Sequence, residues 1–402
     1  MKFDESSLYN IKSEFNGTRY ALFDLATWKN GYAFKKSDFS ATGRPVIKIA
    51  ELNNGINGKT SFTHGEYDEE VSVRWDDLLF SWSGNPQTSI DVFRYRLQDG
   101  WLNQHIFKVT ANEKLVTKNF LYYILKFLKP HFTQIATNKQ TTGLGHVTIA
   151  DLKRLSMVIP SKAIQSQIVS ILKALDDKIE KNTEVNKNLA EQAQSIFTQE
   201  FLSLDNLPDG WQESSLLGIA DYLNGLAMQK HRPKDDEQGL PVLKIKELRQ
   251  GSCDSNSELC SPSIKPEYIV HDGDVIFSWS GSLLVDLWCG GTCGLNQHLF
   301  KVTSATYDKW FYYAWTNHHL QKFAAIAADM ATTMGHIKRE ELEKAEVLIP
   351  PQSDYDRIGG LLAPLYDLII ANRIENRKLV SLRDELLPQL ISGQLAVSEV
   401  SL

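Results

Sequence analysis

The chain has 402 residues, of which 42% are hydrophobic and 23% charged, and its formal net charge is −6 at pH 7. This composition excludes disordered, fibrous and membrane-embedded classes and predicts a globular protein of two or three domains. The first ten residues contain acids and no apolar run, and no stretch reaches the roughly 18 uncharged apolar residues of a membrane helix. We therefore expect a cytoplasmic protein without a signal peptide or a membrane partner.

The charge is distributed unevenly along the chain. Residues 1–161 carry a net charge of +4, whereas residues 204–351 carry −7. An acidic balance disfavours nucleic acid, because phosphate groups are attracted to lysine and arginine. Net charge therefore argues against a nucleic-acid partner, and most strongly for the second half.

All four cysteines lie in the second half, at Cys253, Cys260, Cys289 and Cys293. Their spacings are not a usual zinc pattern, and the first half has no cysteine to match them. We predict free thiols and no metal, with a local metal site as the alternative.

One series of short segments occurs twice in the same order. The offset between the copies stays between 190 and 197 residues, so few insertions separate them. Such self-similarity indicates an internal duplication. The paired segments are residues 30–31 and 224–225, 46–52 and 242–248, 80–84 and 277–281, 103–110 and 296–303, 141–146 and 332–336, and 158–160 and 348–350.

Each copy predicts the same elements. A β-branched run at residues 46–49 predicts a strand, and the apolar stretches at residues 120–128 and 310–323 predict helices. Each copy ends in a strand that closes with Ile-Pro, at residues 158–160 and 348–350. Proline then marks the transition into a long helix.

The two long helices are predicted at residues 168–196 and 358–386. Seam positions spaced four and three residues apart line one side of each helix, and such a seam needs a partner helix. Antiparallel pairing sets asparagine against asparagine at the centre, with Asn182 opposite Asn372, and fixes the register. The predicted interface consists of Ile168, Leu172, Leu175, Ile179, Asn182, Asn186, Leu189, Ile358, Leu362, Leu365, Ile369, Asn372, Asn376 and Leu379.

These elements predict an α+β fold: two tandem α/β modules separated by two long helices that pair as an antiparallel coiled coil, with a pseudo-twofold internal repeat. The expected parts are module one (1–161), a central helix (162–203), module two (204–351) and a C-terminal helix with tail (352–402). The first seam is about 42 Å long, close to the roughly 34–36 Å between half-sites on B-DNA. A protein partner with two epitopes would suit this spacing equally.

Catalytic motifs are absent from the sequence. Residues 58–60 resemble the end of a phosphate-binding loop, but the first glycine of that motif is missing. His105 and His298 lie in the same repeated context, yet neither has a partnered nucleophile, so local hydrogen bonding is the favoured interpretation. Trp82 and Trp279 are interpreted as turn or core residues, with a ligand-facing role left open.

The order of module, Ile-Pro and long helix, repeated once, resembles the DNA specificity (S) subunit of type I restriction-modification systems. The likeness covers residues 17–393, and the second copy departs from the family pattern at residues 355–357, where a Glu-Gln pair usually precedes the helix. The residues that carry the likeness are Gly145, His146, Asp151, Leu152, Val158, Ile159, Pro160, Gln167, Ile168, Val169, Leu175, Asp176 and Ile179, and then Gly335, His336, Leu342, Val347, Leu348, Ile349, Pro350, Arg357, Ile358, Asp367 and Ile369.

This resemblance implies a non-catalytic reader of double-stranded DNA. Each module would be a target recognition domain for one half of a split, asymmetric site, and the helices would set the spacer and dock two methyltransferase (M) subunits. A motor-nuclease (R) subunit would join the complex. No cofactor is expected in this chain, because S-adenosylmethionine belongs to the M subunit. The outer helix faces expected to dock partners include Lys173, Lys181, Lys187, Arg373, Arg377 and Lys378.

DNA contacts are expected from basic and small polar side chains in loops. The loops in which the copies diverge, residues 34–44 with 228–239 and 85–96 with 282–289, are the best candidates for base readout; Arg94 or Arg96 suits guanine. The predicted DNA-binding residues are Lys35, Lys36, Arg44, Ser83, Asn85, Gln87, Arg94, Arg96, Lys139, Gln140, Thr141 and Thr142, and then Lys230, Arg232, Lys234, Ser280, Ser282, Thr332, Thr333 and Lys338.

Three functions remain open from the residues alone. Divergent loops on a duplicated frame favour a DNA reader, whereas the acidic second module favours a two-module protein-interaction scaffold without DNA. The third is an enzyme that uses His105 and His298.

Overall fold

The computed structural model of the chain describes residues 4–140, 143–329 and 337–400. Some residues named above lie outside this part, namely Thr141, Thr142, Thr332, Thr333, Gly335 and His336. The chain forms two compact units, Met1–Asp176 with Ser381–Leu402, and Asp177–Val380. The unit boundaries fall inside both long helices, whereas the sequence placed the domain boundaries at the ends of the modules. Among the described helices, none has the length and apolar character needed to cross a membrane.

The first half of the chain alternates short strands with short helices and ends in the first long helix. In chain order these are α1 (Glu5–Tyr9), β1 (Thr18–Ala21), β2 (Ala26–Asn30), β3 (Arg44–Ile47), α2 (Ile49–Asn54), β4 (Phe62–Thr63), β5 (Ser72–Val73), β6 (Leu78–Ser81), β7 (Ser83–Gly84), β8 (Asp91–Arg94), β9 (Gly100–Leu102), β10 (Ile106–Ala111), α3 (Lys118–Phe127), α4 (Lys129–Asn138), β11 (Gly145–His146), α5 (Ile149–Arg154), β12 (Ser156–Ile159) and α6 (Lys162–Phe197).

The second half repeats this order and ends in the second long helix. Its elements are β13 (Gln212–Ser215), α7 (Leu216–Ile219), β14 (Asp221–Asn224), β15 (Leu240–Leu243), α8 (Ile245–Gln250), β16 (Leu259–Cys260), β17 (Ile269–Val270), β18 (Val275–Ser278), β19 (Leu284–Leu287), β20 (Cys293–Leu295), β21 (Leu299–Thr303), α9 (Lys309–Asp329), α10 (Arg339–Glu343), β22 (Glu346–Ile349) and α11 (Gln352–Ser392).

The two modules contain matching sheets. One sheet is four-stranded and antiparallel, with the order β2-β10-β6-β8 in the first module and β14-β21-β18-β19 in the second. The other sheet has the order β4-β3-β9-β5 or β16-β15-β20-β17, and its two central strands run parallel. The predicted internal repeat and the mixed helix-and-sheet fold are therefore confirmed.

The repeated Phe-Ser-Trp-Ser-Gly segment runs from the core of each antiparallel sheet to its end. All four residues of β6 and of β18 are buried, as a central strand covered on both faces requires. Phe80 contacts Trp28 and Phe132, with ring centroids 6.0 and 4.8 Å apart, and Phe277 stacks on Phe323 at 5.9 Å. Burial of each phenyl ring contributes about 1.5–3 kcal/mol.

A buried side chain joins the start of each long helix to its module. Gln165 of α6 donates a hydrogen bond to the carbonyl of Pro160 (3.0 Å) and accepts one from the N–H of Thr117 (3.0 Å), the residue that caps α3. At the corresponding place in the second copy, the hydroxyl of Tyr355 accepts a hydrogen bond from the N–H of Asp308 (2.7 Å), which directly precedes α9. The departure from the family pattern at residue 355 therefore retains this junction with a different side chain.

Helices α6 and α11 pair antiparallel, as predicted. Nδ2 of Asn182 donates hydrogen bonds to Oδ1 of Asn376 (2.9 Å) and to Oε2 of Glu375 (2.7 Å), and Nδ2 of Asn372 donates one to Oδ1 of Asn186 (2.9 Å). Asparagine faces asparagine, but Asn182 lies opposite Asn376 and not opposite Asn372, so the expected register was wrong by one helical turn.

The observed register also provides acceptors for further N–H groups of the asparagine amides. Nδ2 of Asn376 also donates to the carbonyl of Ile179 (3.2 Å), and Nδ2 of Asn186 donates to that of Ile369 (3.3 Å). An amide left without a partner inside a helix seam would cost about 1–3 kcal/mol. The register that satisfies these amides is therefore favoured over one that aligns the seam midpoints.

Most predicted apolar seam positions are buried, and the others are half-buried. The buried positions are Ile168, Leu172, Leu175, Leu189, Ile358, Leu362 and Ile369. The half-buried positions are Ile179, Leu365 and Leu379.

We expect Asn182→Leu and Asn376→Leu to be energetically coupled. Each single substitution leaves the opposite amide without one partner and should cost about 1–3 kcal/mol. The double substitution removes both polar groups, so its cost should fall short of the sum by roughly 0.5–3 kcal/mol. Urea unfolding of the four proteins measures this coupling. The matched control pairs Asn182→Leu with Asn372→Leu, whose amides have different partners and whose costs should add. Additive costs for the first pair would contradict the observed register.

Candidate nucleic-acid interface

Three repeated segments meet at one end of the antiparallel sheet in each module. The chain turns at Gly31, where the N–H of Gln104 donates to the carbonyl of Tyr32 (2.9 Å). A Cβ at Gly31 would overlap the carbonyl oxygen of Asn103, and Gly225 is enclosed in the same way in the second module. Glycine is therefore required here, because the backbones of two loops touch.

The repeated tryptophan is fixed in both modules by an asparagine. The indole N–H of Trp82 donates to Oδ1 of Asn30 (2.9 Å), and that of Trp279 donates to Oδ1 of Asn224 (3.0 Å). Trp82 also stacks on Phe107, with ring centroids 5.7 Å apart. Both indoles are half-buried turn residues, in line with the structural interpretation of their repeat.

The two histidines lie beside these indoles. The rings of His105 and Trp82 are 5.7 Å apart, and those of His298 and Trp279 are 6.2 Å apart. Nδ1 of His298 is 3.2 Å from Oγ of Ser280, a hydroxyl that is only 5% exposed. Both rings therefore take part in local contacts with the turn that carries them.

Arg94 and Arg96, the predicted guanine readers, form ion pairs within the first module. Nη1 of Arg94 lies 3.5 Å from the carboxylate of Asp76, and Nη1 of Arg96 lies 2.9 Å from the same carboxylate. Nζ of Lys118 contacts the same carboxylate at 2.9 Å. Burial raises the pKa of Asp76, but these cations reverse the effect and hold it below its ordinary value of 3.8.

Arg44 and Lys139 also bind groups of their own module. Arg44 donates to Oγ of Ser72 (2.5 Å) and lies over the Trp101 ring, 4.1 Å from its centroid. Nζ of Lys139 contacts both carboxylate oxygens of Asp151 at 2.6 Å, and the side chain of Asp151 is only 1% exposed. These two cations contribute to folding, and a role in DNA contact remains a prediction for them as for Arg94 and Arg96.

The other predicted DNA-binding residues fall into two groups by exposure. Ser83 is half-buried in β7 and Ser280 is buried. Those with exposed side chains are Lys35, Lys36, Asn85, Gln87, Gln140, Lys230, Arg232, Lys234, Ser282 and Lys338.

Arg373 and Arg377, expected as docking residues on the outer helix faces, form ion pairs with the second module, and partner contact by them stays a prediction. Arg373 donates to Asp286 (2.6 Å), and Arg377 binds both carboxylate oxygens of Asp272 (2.7 Å each) and the carbonyl of Cys289 (2.6 Å). Both arginines thus face the second module and fasten α11 to it. The sequence does not reveal these pairs, because the aspartates lie 87 and 105 residues away from the arginines.

Lys173, Lys181, Lys187 and Lys378 complete the set expected on the outer helix faces. Lys181, Lys187 and Lys378 are exposed and Lys173 is half-buried. The three exposed lysines therefore keep their predicted role as candidates for partner contact.

Sequence reasoning missed the glutamine beside each histidine. Gln104 and Gln297 stand next to the repeated His in identical turns, with Nε2 atoms 3.4 and 3.3 Å from the imidazole Nε2. The identity of this glutamine in the two copies is the sequence signal that could have identified it.

The four cysteines are free thiols in the structure. Cys253 packs against the core cluster that contains Cys293. Within residues 4–140, 143–329 and 337–400, no group of three or more His, Cys, Asp or Glu side chains is arranged to hold a metal ion.

A family model described as the type I restriction modification DNA specificity domain matches residues 18–191 and again residues 208–379. The chain therefore belongs to this family and carries its domain twice. It is a non-catalytic specificity subunit with two DNA-recognition domains, rather than an enzyme that uses His105 and His298.

Individual relatives agree with this assignment. The chain is 25% identical over 309 residues to the type I restriction enzyme MjaIX specificity subunit of Methanocaldococcus jannaschii, covering 71% of each chain. It is 23% identical over 291 residues to the EcoBI specificity subunit of Escherichia coli, covering 64% of this chain and 59% of that one. The crystal structure of a type I restriction-modification S subunit from M. genitalium shares the fold, with a TM-score of 0.56, 14% identity and coverage of 95% and 98%.

We expect Arg377→Ala to destabilise the protein by about 1.5–3 kcal/mol near neutral pH, because it removes hydrogen bonds between charged groups. The hydrogen bond from Arg377 lowers the pKa of Asp272 below its ordinary value of 3.8. A carboxyl group whose pKa is lower in the folded than in the unfolded state stabilises the folded protein at pH values above its unfolded-state pKa. This stabilisation is lost as the pH falls through the pKa of the folded state. The difference in unfolding free energy between wild type and variant should therefore shrink below about pH 4.

The measurement is urea unfolding at a series of pH values. The control is Lys378→Ala, an exposed neighbour on the same helix, which should change the free energy by no more than about 0.5 kcal/mol. A cost for Arg377→Ala that matches the control, or one that grows in acid, would contradict the role of this ion pair.

Proposed function

We propose that this chain is the recognition subunit of a type I restriction-modification complex in which each module reads one half of a bipartite, asymmetric site in double-stranded DNA. The helix pair sets the spacer between the halves and docks two methyltransferase (M) subunits. A motor-nuclease (R) subunit joins the complex. S-adenosylmethionine binds to the M subunits and not to this chain, and the complex acts in the cytoplasm.

One observation carries the proposal: the strands of the two modules correspond, but the loops at the ends of the sheets do not. Between β6 and β8 the first module has residues 82–90, whereas between β18 and β19 the second has residues 279–283. Residues 31–43 link β2 to β3, and the matching link in the second module is residues 225–239. A common frame with different loops suits two readers of different sequences, because base edges distinguish one site from another.

The exposed cations support the same assignment. Lys35 and Lys36 lie in the link between β2 and β3, and Lys230, Arg232 and Lys234 lie in the matching link of the second module. Phosphate contacts depend on such local groups rather than on overall charge. A balance of −7 across the second module is therefore compatible with DNA binding.

The relatives support the proposed partners. The MjaIX and EcoBI proteins are specificity subunits of type I restriction enzymes, so each belongs to a larger enzyme. The exposed lysines of the helices, Lys181, Lys187 and Lys378, are available for such partners. A chain that belongs to this family would meet its cofactor and its nuclease through other subunits.

We expect Gln87→Ala and Arg232→Ala to relax specificity in different halves of the target. Loss of a base contact costs about 1–3 kcal/mol of discrimination at the contacted position. The measurement is methylation, by the chain assembled with its M subunits, of a duplex library in which each half-site is randomised in turn. The wild-type complex supplies the reference target.

Two outcomes would contradict the proposal. Relaxation of the same half by both variants would contradict one module per half-site. A wild-type complex that neither binds nor methylates duplex DNA would leave the protein-interaction scaffold as the better description.

A further inference from the structure

The Asn-Gln-His turn is the same in both modules, although the loops beside it differ. It occupies residues 103–105, between β9 and β10, and residues 296–298, between β20 and β21. The turn thus connects the two sheets of each module. Its structural requirements account for only part of its sequence.

The asparagine of the turn has a structural role. Oδ1 of Asn103 lies 3.4 Å from the N–H of His105 and accepts a hydrogen bond from it, and Asn296 does the same in the second module (3.3 Å). The N–H of Gln104 donates to the carbonyl of Tyr32. These bonds use only the backbone of the glutamine and the histidine. The imidazoles contact the neighbouring indoles, and His298 also contacts Ser280, so the glutamine side chain is the one without a role in the turn itself.

The Gln-His side chains form the same arrangement twice. Nε2 of Gln104 lies 3.4 Å from Nε2 of His105, which is exposed, and Nε2 of Gln297 lies 3.3 Å from Nε2 of His298. The indole beside each imidazole is itself held by an asparagine. Because the amide nitrogen can only donate, the imidazole Nε2 accepts one of its N–H groups. Each module therefore presents the second amide N–H as a hydrogen-bond donor, on a turn whose position is fixed.

We propose that the Gln-His pair of each module contacts the sugar-phosphate backbone of the DNA duplex. The imidazole orients the amide, and the remaining amide N–H donates to a phosphate oxygen, a contact that carries no sequence information. Identical side chains cannot distinguish two different half-sites, but they suit a feature that every duplex presents. This inference rests on the proposed function, because it requires duplex DNA as the ligand.

The place of the pair in the fold supports a positioning role. The carbonyl of Trp82 accepts a hydrogen bond from the N–H of Val147 (2.8 Å), and that of Trp279 accepts one from Ile337 (2.9 Å). The divergent loop at residues 85–90 begins three residues after Trp82. A backbone contact at this point would hold each divergent loop at a constant place along the groove.

The test uses the full chain assembled with its M subunits and two duplexes of equal length, one containing the mapped target and one lacking it. Gln104→Ala and Gln297→Ala should each weaken binding to both duplexes by roughly tenfold or more, as expected for loss of a hydrogen bond to a charged group. The ratio of the two affinities should not change. The dependence of log K on log salt should also stay constant, whereas loss of a lysine contact changes that slope by about 0.9.

Gln98→Ala is the matched control. Gln98 is an exposed glutamine of the first module that follows β8, and the Leu78–Arg94 pairing places it at the end of the sheet away from the turn. The complex that carries Gln98→Ala should bind both duplexes with the affinity of the wild type. Thermal unfolding of every variant verifies that the fold is retained.

The possible results distinguish failure of the proposed backbone contact from failure of the proposed DNA-recognition function. Wild-type affinity in both turn variants would overturn the backbone contact and leave the proposed function intact. Weaker binding to the target duplex alone would also overturn it, because that result indicates base readout. Failure of the wild-type complex to bind either duplex would overturn the proposed function itself.

Discussion

Hydrogen bonds between asparagine side chains inside an apolar helix seam are the constraint on which the rest of the structure depends. A seam of leucine and isoleucine alone would tolerate a shift of one turn, since each apolar side chain would meet another. Asn182 and Asn186 distinguish the registers, because in the observed one both meet an asparagine, Asn376 and Asn372 respectively, and form a hydrogen bond with it. Each amide left unsatisfied would cost about 1–3 kcal/mol, which is enough to select one register.

That register matters because each helix is also bound to a module. Gln165 and Tyr355 connect the first turns of the long helices to the caps of the helices that cover the sheets. In the second unit, Arg373 and Arg377 add charged contacts further along α11. Within the second unit, side-chain hydrogen bonds therefore fix both the register of the paired helix segments and the attachment of α11 to its module.

Much of the fold could be predicted from the sequence, because the duplication repeats each signal. The order of segments, the Ile-Pro junctions and the antiparallel asparagine pairing all follow from residues that are close in sequence or matched between copies. The partner of Asn182 could not be predicted, since it depends on backbone carbonyls that periodicity does not place. The inward direction of Arg373 and Arg377 depends on Asp272 and Asp286, which only the tertiary fold brings near. Specific DNA contacts stay predictions, because loop side chains acquire a role only against a ligand.

The salt bridges of α11 also determine what can be exchanged between the two copies. The residues 190 positions before Arg373 and Arg377 are Thr183 and Lys187, which do not offer the two planar guanidinium groups that Asp272 and Asp286 bind. A second module grafted onto the first position alone would therefore bury two aspartates against poorly matched neighbours. Duplication has left two copies with one frame, but the second module is fitted to α11 through two arginines that have no counterpart in α6. An exchange that keeps these ion pairs must consequently move the second module together with the part of α11 that carries Arg373 and Arg377.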